Sequence, residues 1–215
     1  MKTLLVAATG FEIKNVLKHF NLGAENYVET PTFDVLITGV GMTATAFALG
    51  QHLLPGKYGQ VLNLGIAGSF SPEFPPGTIV QVCTDIFAEL GAEDGQQFLP
   101  IQTLGFGESS YTAIPPLQPL DPPLSTVKGI TVNKVHGHQP SIDALKARLS
   151  PDIETMEGAA VIYACNQIQI PCIQVRAISN FVEPRNRENW KIELAIENLN
   201  NWAIRFLTKD QRILF

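Results

Sequence analysis

The fold is decided by the stretch Val61-Leu62-Asn63-Leu64-Gly65-Ile66-Ala67-Gly68, in which a short apolar run ends on two glycines. Such a run is typical of a buried strand, and glycines after it let the chain turn or let a ligand approach the backbone closely. Similar apolar runs lie at 4–8 and 35–37, and the second is followed by Gly39-Val40-Gly41. We therefore predict three strands of one sheet, each leading into a loop of small residues.

Helical patterns alternate with these strands along the whole chain. The spacing of apolar residues predicts helices at 12–20, 42–54, 141–149, 156–168 and 190–207, and further strands at 79–83, 129–135 and 173–179. This alternation predicts an α/β domain with a mainly parallel or mixed sheet. Residues 99–123 hold six prolines and break the pattern, so we expect an irregular loop there. At 215 residues, the chain is expected to form one domain, 1–215.

Composition excludes several classes of protein. The formal net charge is −5, which argues against a general nucleic-acid binder, and no apolar run is long enough to span a membrane. The three cysteines, Cys83, Cys165 and Cys172, lack CxxC spacing and indicate reduced core residues in a cytoplasmic protein. Only 16% of the residues are charged, so we expect a second copy of the chain to cover part of the surface, giving a homo-oligomer.

The glycines at 39–44 match GxGxxA, a weak signal for a dinucleotide-binding oxidoreductase. That function needs an acidic residue roughly 20 positions later to bind the ribose, yet no Asp or Glu occurs between Asp34 and Glu73. We therefore expect these glycines only to allow a tight turn. The segment 65–69 lacks the lysine of a phosphate-binding loop, and its glycines fit a ligand cradle or close packing equally well.

Three polar side chains adjoin the predicted strands and the buried helix. Glu12 follows the first strand, Asn180 ends the strand that begins at 173, and Glu157 lies at the start of the helix 156–168. Ligands of open α/β sheets bind beyond the carboxyl ends of the strands, where Glu12 and Asn180 fall. Taken singly, each of the three also fits a capping or turn residue. Arg176 lies within an apolar strand, and we predict a buried charge paired with a carboxylate.

The four histidines show no metal-ligand spacing. The only close pair, His136-Gly137-His138, has no carboxylate near it in sequence. We predict no metal site and no cofactor.

Three segments together resemble the nucleoside phosphorylase/nucleosidase superfamily: Gly65-Ile66-Ala67-Gly68, Met156-Glu157-Gly158-Ala159-Ala160 and Arg176-Ala177-Ile178-Ser179-Asn180. The resemblance extends from the first strand to the closing helix. It implies a three-layer α/β/α sandwich around a twisted mixed sheet, and a homo-oligomer that acts on a small nucleoside.

The resemblance also implies a role for each matched residue. Glu12 activates water, Glu157 binds the ribose hydroxyls, Met156 packs beneath the sugar, and Asn180 contacts the purine, while residues 66–68 (Ile66, Ala67 and Gly68) line the substrate. Adenine-specific relatives carry Asp at the position of Asn180. An amide donates to a carbonyl oxygen, so Asn180 favours a 6-oxopurine such as hypoxanthine.

Further segments (67–70, 90–94 and 180–187) resemble one group of hydrolases within the superfamily. The resemblance to this group implies a substrate with an aryl carboxylate beyond the 5′ carbon, release of hypoxanthine, and a role in menaquinone biosynthesis. Arg185 and Arg187 are candidates to bind that carboxylate, although both also fit a solvated helix start.

Water is the expected nucleophile because the chain has no arginine before Arg148, so the arginine pair that binds phosphate in phosphorylases is missing. The alternatives are a purine nucleosidase or phosphorylase acting on the 6-amino analogue, inosine or methylthioadenosine, and a non-catalytic nucleoside-binding protein.

Overall fold

The structure, a computed structural model, describes residues 1–23, 25–95 and 97–212. The strands are β1 (Lys2–Ala7), β2 (Tyr27–Val28), β3 (Phe33–Ile37), β4 (Tyr58–Ser69), β5 (Ile79–Phe87), β6 (Gly91–Asp94), β7 (Gln97–Pro100), β8 (Ser110–Thr112), β9 (Ser125–Thr131), β10 (Ile153–Thr155) and β11 (Cys172–Phe181). The α-helices are α1 (Lys14–His19), α2 (Met42–His52), α3 (Gln139–Leu149), α4 (Gly158–Gln167) and α5 (Ile192–Arg212).

One large mixed sheet forms the centre of the molecule, with strand order β10-β9-β5-β11-β4-β1-β3-β2 and β8 paired to β5. Strands β3, β1, β4 and β11 run parallel to one another, so their carboxyl ends meet at one edge. Strand β5 is antiparallel to β11. The end of β4 also pairs with β10, which curls the sheet at this edge. This architecture confirms the predicted mixed sheet.

Helices cover both faces of the sheet. Helices α1 and α5 bury one face in a core that contains Leu5, Leu62 and Leu199. Helices α2 and α4 bury the other face around Leu4, Val61 and Ile162. Alternate residues of a strand point to opposite faces, which explains why neighbours such as Leu4 and Leu5 belong to different cores. The expected three-layer sandwich is therefore present.

Several predicted strand ends were wrong, and β5, predicted to end at Cys83, continues to Phe87. Strand β4 continues through the glycines to Ser69 because its backbone stays paired with β11, whereas the prediction ended it at Leu64. Strand β9 ends at Thr131, and residues 132–135 leave the sheet instead of continuing it. The Pro-rich segment 99–123 contains one short strand, β8, that pairs with β5.

Candidate active site

Strands β1, β4 and β11 bring the candidate side chains to the same edge of the sheet. Glu12 lies in the turn between β1 and α1, and this turn is fastened to the closing helix by the buried Asn200. The Asn200 Nδ2 atom donates to the Glu12 carbonyl oxygen at 2.8 Å, and its Oδ1 atom accepts from the Val16 amide at 2.9 Å. The position of Glu12 is therefore set by both ends of the chain.

The Glu12 carboxylate accepts hydrogen bonds from two elements. Its Oε2 atom accepts from the Thr9 amide at 3.1 Å and the Thr9 hydroxyl at 3.2 Å, and its Oε1 atom accepts from the Ile66 amide at 3.1 Å. Burial raises the pKa of Glu12 above its usual value, while the Ile66 hydrogen bond and the charge of Arg176 act in the opposite direction. A carboxylate with a raised pKa is a stronger proton acceptor, as water activation requires.

Arg176 is almost fully buried on β11, directly opposite Gly65 of β4. A Cβ at Gly65 would lie 3.1 Å from Glu12 Oε1 and 3.4 Å from Arg176 Cζ, so the glycine leaves room for the two charged groups. The predicted direct ion pair is absent among the described residues. Instead, one Arg176 nitrogen donates to the carbonyls of Asn63 and Val175, and its Nε atom is buried without a hydrogen-bond partner.

Glu157 immediately precedes α4, because the helix begins at Gly158, two residues later than predicted. Its side chain does not cap the helix. Its Oε1 atom accepts a hydrogen bond from the Gly41 amide at 2.8 Å. Gly41 has φ 93° and Gly39 has φ 85°, so the GxG segment forms the expected tight turn and also holds Glu157. The Glu157 charge is close enough to raise the pKa of Glu12. Met156 lies beside Glu157 and is partly buried.

Asn180 lies near the end of β11, opposite Gly68 of β4. Its Nδ2 atom donates to the Phe181 carbonyl at 2.8 Å, and its Oδ1 atom accepts from the Ser179 hydroxyl at 2.8 Å. A carbonyl oxygen can only accept, so the amide orientation is defined, and the second N–H of Nδ2 remains available as a donor. The predicted donor role of Asn180 is compatible with this arrangement.

Residues 66–68 connect the two halves of the site. The Ile66 amide holds Glu12, and the Ala67 carbonyl accepts from the Ser179 hydroxyl at 3.1 Å, next to Asn180. Gly68 lies between β10 and β11. All three residues therefore adjoin Glu12 or Asn180, and their contact with a substrate stays a prediction.

Arg185 and Arg187 lie in the exposed segment after β11. Both guanidinium groups lie over the ring of Trp190, at 5.1 and 5.7 Å from its centroid. The Arg185 amide donates to the Gly137 carbonyl at 3.2 Å, which ties this segment to the loop that follows β9. The Asn186 side chain accepts from the Glu188 amide and caps a short 3₁₀ turn, rather than the closing helix.

Sequence reasoning missed two polar groups near the site. His136 was judged to lack a carboxylate neighbour, but β9 and β10 are parallel partners, and this pairing brings Glu154 to His136 with 2.8 Å between Oε2 and Nδ1. Asp85 is fully buried on β5 and accepts from Thr131 at 2.9 Å and Gln174 at 2.7 Å. Asp85 falls two residues beyond the strand predicted at 79–83, so its burial followed only from the longer β5 of the structure.

Among the described residues, no group of three or more His, Cys, Asp or Glu side chains could hold a metal ion. No helix in the same part of the chain is both long and apolar enough to cross a membrane.

Comparison with known proteins gives the family and the fold of the chain. A family model described as the phosphorylase superfamily matches residues 2–213. The futalosine hydrolase of Streptomyces coelicolor is 35% identical over 181 residues, which cover 79% of this chain and 76% of the relative. The solved 5′-methylthioadenosine/S-adenosylhomocysteine nucleosidase of Colwellia psychrerythraea, in complex with adenine, has a TM-score of 0.74 at 19% identity and covers 97% of this chain and 95% of its own. The solved futalosine hydrolase of Helicobacter pylori has a TM-score of 0.74 at 14% identity, with 95% and 98% covered.

Proposed function

The chain belongs to the phosphorylase superfamily, and from this premise we propose that it hydrolyses the N-glycosidic bond of futalosine, releasing hypoxanthine and dehypoxanthine futalosine. The observation that carries the proposal is the Glu12 carboxylate, oriented by Thr9 and Ile66 and flanked by the charges of Arg176 and Glu157. The role of the protein in menaquinone biosynthesis and its location in the cytoplasm stay predictions from the sequence.

In the proposed reaction, the bond between C1′ and N9 breaks, and its electron pair goes to the purine. The sugar passes through an oxocarbenium-like state, as in other glycoside cleavages. The Glu157 side chain stabilises that positive charge, and the Asn180 N–H donates to the purine as it gains negative charge. Water adds its oxygen to C1′ and passes a proton to Glu12. That proton returns to solvent and the purine anion takes up one proton in exchange, so neutral hypoxanthine leaves and Glu12 is again a carboxylate.

Water is favoured over phosphate because the chain has no arginine before Arg148, whereas phosphorylases of this superfamily bind phosphate with arginines from the N-terminal half. Arg176 is buried, and its NH1 group donates to two main-chain carbonyls. We therefore expect turnover that does not depend on phosphate.

One experiment distinguishes this function from the alternatives. The pure protein is incubated with futalosine, its 6-amino analogue, inosine and methylthioadenosine, with and without phosphate, and the released base is identified. Hypoxanthine released fastest from futalosine, without phosphate, is the expected result. Faster cleavage of another nucleoside would reassign the substrate, phosphate dependence would indicate a phosphorylase, and release from none would indicate a binding protein.

Futalosine carries a carboxylate beyond the ribose, and we propose that Arg185 or Arg187 binds it. Both residues are exposed in the segment after β11, and the Arg185 amide donates to the Gly137 carbonyl, which joins this segment to the loop after β9. Arg185→Ala and Arg187→Ala are compared on futalosine and inosine. Loss confined to futalosine in one variant is expected, and loss in neither would eliminate both residues.

A homo-oligomer is proposed from exposed apolar side chains on the layer of α2 and α4. Phe47 is 68% exposed on α2, Tyr163 is 40% exposed on α4, and Val40 is 57% exposed beside Gly41 of the site. Light scattering of the purified protein is expected to give a dimer or larger. A Phe47→Glu variant that remains as large as the wild type would place the interface elsewhere.

A further inference from the structure

The pair formed by His136 and Glu154 has no role in the reaction above. Glu154 is a buried carboxylate, 4% exposed, that accepts two hydrogen bonds from the same residue. Its Oε1 atom accepts from the His136 amide at 3.0 Å, and its Oε2 atom lies 2.8 Å from His136 Nδ1. His136 is therefore held by Glu154 at both its main chain and its ring.

The Glu154 side chain approaches the same residue of β4 as the Asn180 amide. Glu154 and Asn180 are the register partners of Gly68, one from β10 and one from β11. A Cβ at Gly68 would lie 3.4 Å from Asn180 Nδ2, 3.6 Å from Glu154 Cγ and 2.8 Å from Val182 Cγ2. The two polar side chains therefore flank one point at the edge of the sheet where Asn180 is proposed to contact the purine.

The loop that carries His136 is fixed from a second direction. The Gly137 carbonyl accepts from the Arg185 amide at 3.2 Å, and a Cβ at Gly137 would lie 3.2 Å from Arg185 Cβ. The loops that follow β9 and β11 are thus joined. A ring held this way is suited to reading a ligand, since little side-chain freedom is lost on binding.

The carboxylate determines which ring nitrogen carries the proton. An ionised Glu154 can only accept, so the neutral imidazole carries its hydrogen on Nδ1 and leaves Nε2 as an acceptor. The hydrogen bonds of His136 within the described part of the chain are made by its main-chain amide and by Nδ1. A 6-oxopurine presents an N1–H donor beside its O6 acceptor, whereas a 6-aminopurine presents a lone pair at N1.

We propose that His136, oriented by Glu154, accepts the N1–H of the bound purine and makes the site selective for 6-oxopurines over 6-aminopurines. The proposal rests on the proposed function and deepens it. His136 and Asn180 together provide one acceptor and one donor for the edge of a 6-oxopurine. Adenine would place its N1 lone pair against that of Nε2, and such mispairing of buried polar groups is strongly selective.

The test compares His136→Phe, which keeps a ring but removes both nitrogens, and Glu154→Gln, which offers one oxygen to two donors. His138→Gln is the matched control, because His138 is exposed in the same loop. Two quantities are measured at pH 8: kcat/KM for futalosine and its 6-amino analogue, and calorimetric binding of hypoxanthine and adenine, which requires no turnover. Thermal unfolding verifies that each variant folds. If His136→Phe does not fold, His136→Asn is used in its place.

The wild type and the control are expected to prefer the 6-oxo compounds, and both site variants to lose that preference by about tenfold or more. An unchanged preference in a folded His136 variant would overturn the proposal, as would an equal loss for both bases. If the wild type cleaves no nucleoside, the proposed hydrolase function fails. The binding of hypoxanthine and adenine then decides separately whether His136 selects the base.

Discussion

At the scale of single residues, Glu12 is the group on which the proposed reaction depends most. Three donors orient its carboxylate, and burial raises its pKa. Glutamine has nearly the same shape but cannot take a proton from water. Glu12→Gln is therefore expected to lower kcat by about 10²–10⁴-fold while leaving the affinity for the nucleoside nearly unchanged.

Rapid-quench kinetics and calorimetric titration with the substrate would measure these two quantities. Glu73→Gln serves as the control because Glu73 is exposed and lies outside the candidate site. Near-normal turnover in a folded Glu12→Gln protein would show that another group activates the water.

Asn180 is the residue expected to select for the leaving base. Its Nδ2 atom faces the Phe181 carbonyl at 2.8 Å, so an aspartate there would place an oxygen against that carbonyl unless it held a proton. A protonated aspartate donates with one oxygen and accepts with the other, which suits a 6-amino group. Asn180→Asp is expected to shift the ratio of kcat/KM values towards the 6-amino substrate by about tenfold or more. Competition between the two nucleosides in one reaction measures that ratio, and a constant ratio would exclude Asn180 from base recognition.

At the scale of elements, a buried network of hydrogen-bonded side chains joins β5, β9, β11 and the start of α4. Asp85 accepts from Thr131 and Gln174, and the Thr131 hydroxyl oxygen also accepts from the Ala159 amide in the first turn of α4, at 2.7 Å. A Cβ at Gly158 would lie 2.1 Å from Asp85 Oδ2, so α4 can pack against this network only with glycine at this position. The network thereby fixes the start of α4, which Glu157 immediately precedes.

Burial raises the pKa of Asp85 to about 6. A carboxyl group whose pKa is raised on folding stabilises the folded state below its unfolded pKa, near 4, and this contribution is lost as the pH rises through about 6. The free energy of unfolding of the wild type, relative to Asp85→Asn, is expected to fall by roughly 2–3 kcal/mol between pH 4 and pH 7. Urea unfolding of both proteins across this range measures the difference, and a difference independent of pH would show that Asp85 keeps an ordinary pKa.

The elements also show what the sequence could predict. The long apolar runs located β1, β4 and β11, because strands buried on both faces contain few polar residues. Strand β10 has only three residues and was missed, since its pairing with β9 and β4 depends on contacts distant in sequence. The same distant contacts explain why the site was predicted in part. Glu12 and Asn180 lie where strand ends predict them, but the pairing of His136 with Glu154 required the sheet order.

At the scale of the whole molecule, the sheet assembles one site from chain segments more than 160 residues apart. Glu12 comes from the first loop and Asn180 from the last strand, and Asn200 of the closing helix holds the Glu12 main chain. A change that loosens α5 is therefore transmitted directly to the residue proposed to activate water.

The most direct test of water-mediated cleavage is hydrolysis of futalosine in H₂¹⁸O, with and without phosphate, followed by mass spectrometry of both products. We predict hypoxanthine without label and a free sugar product that gains one ¹⁸O, at a rate that phosphate does not change. A sugar 1-phosphate, or turnover that requires phosphate, would contradict the account.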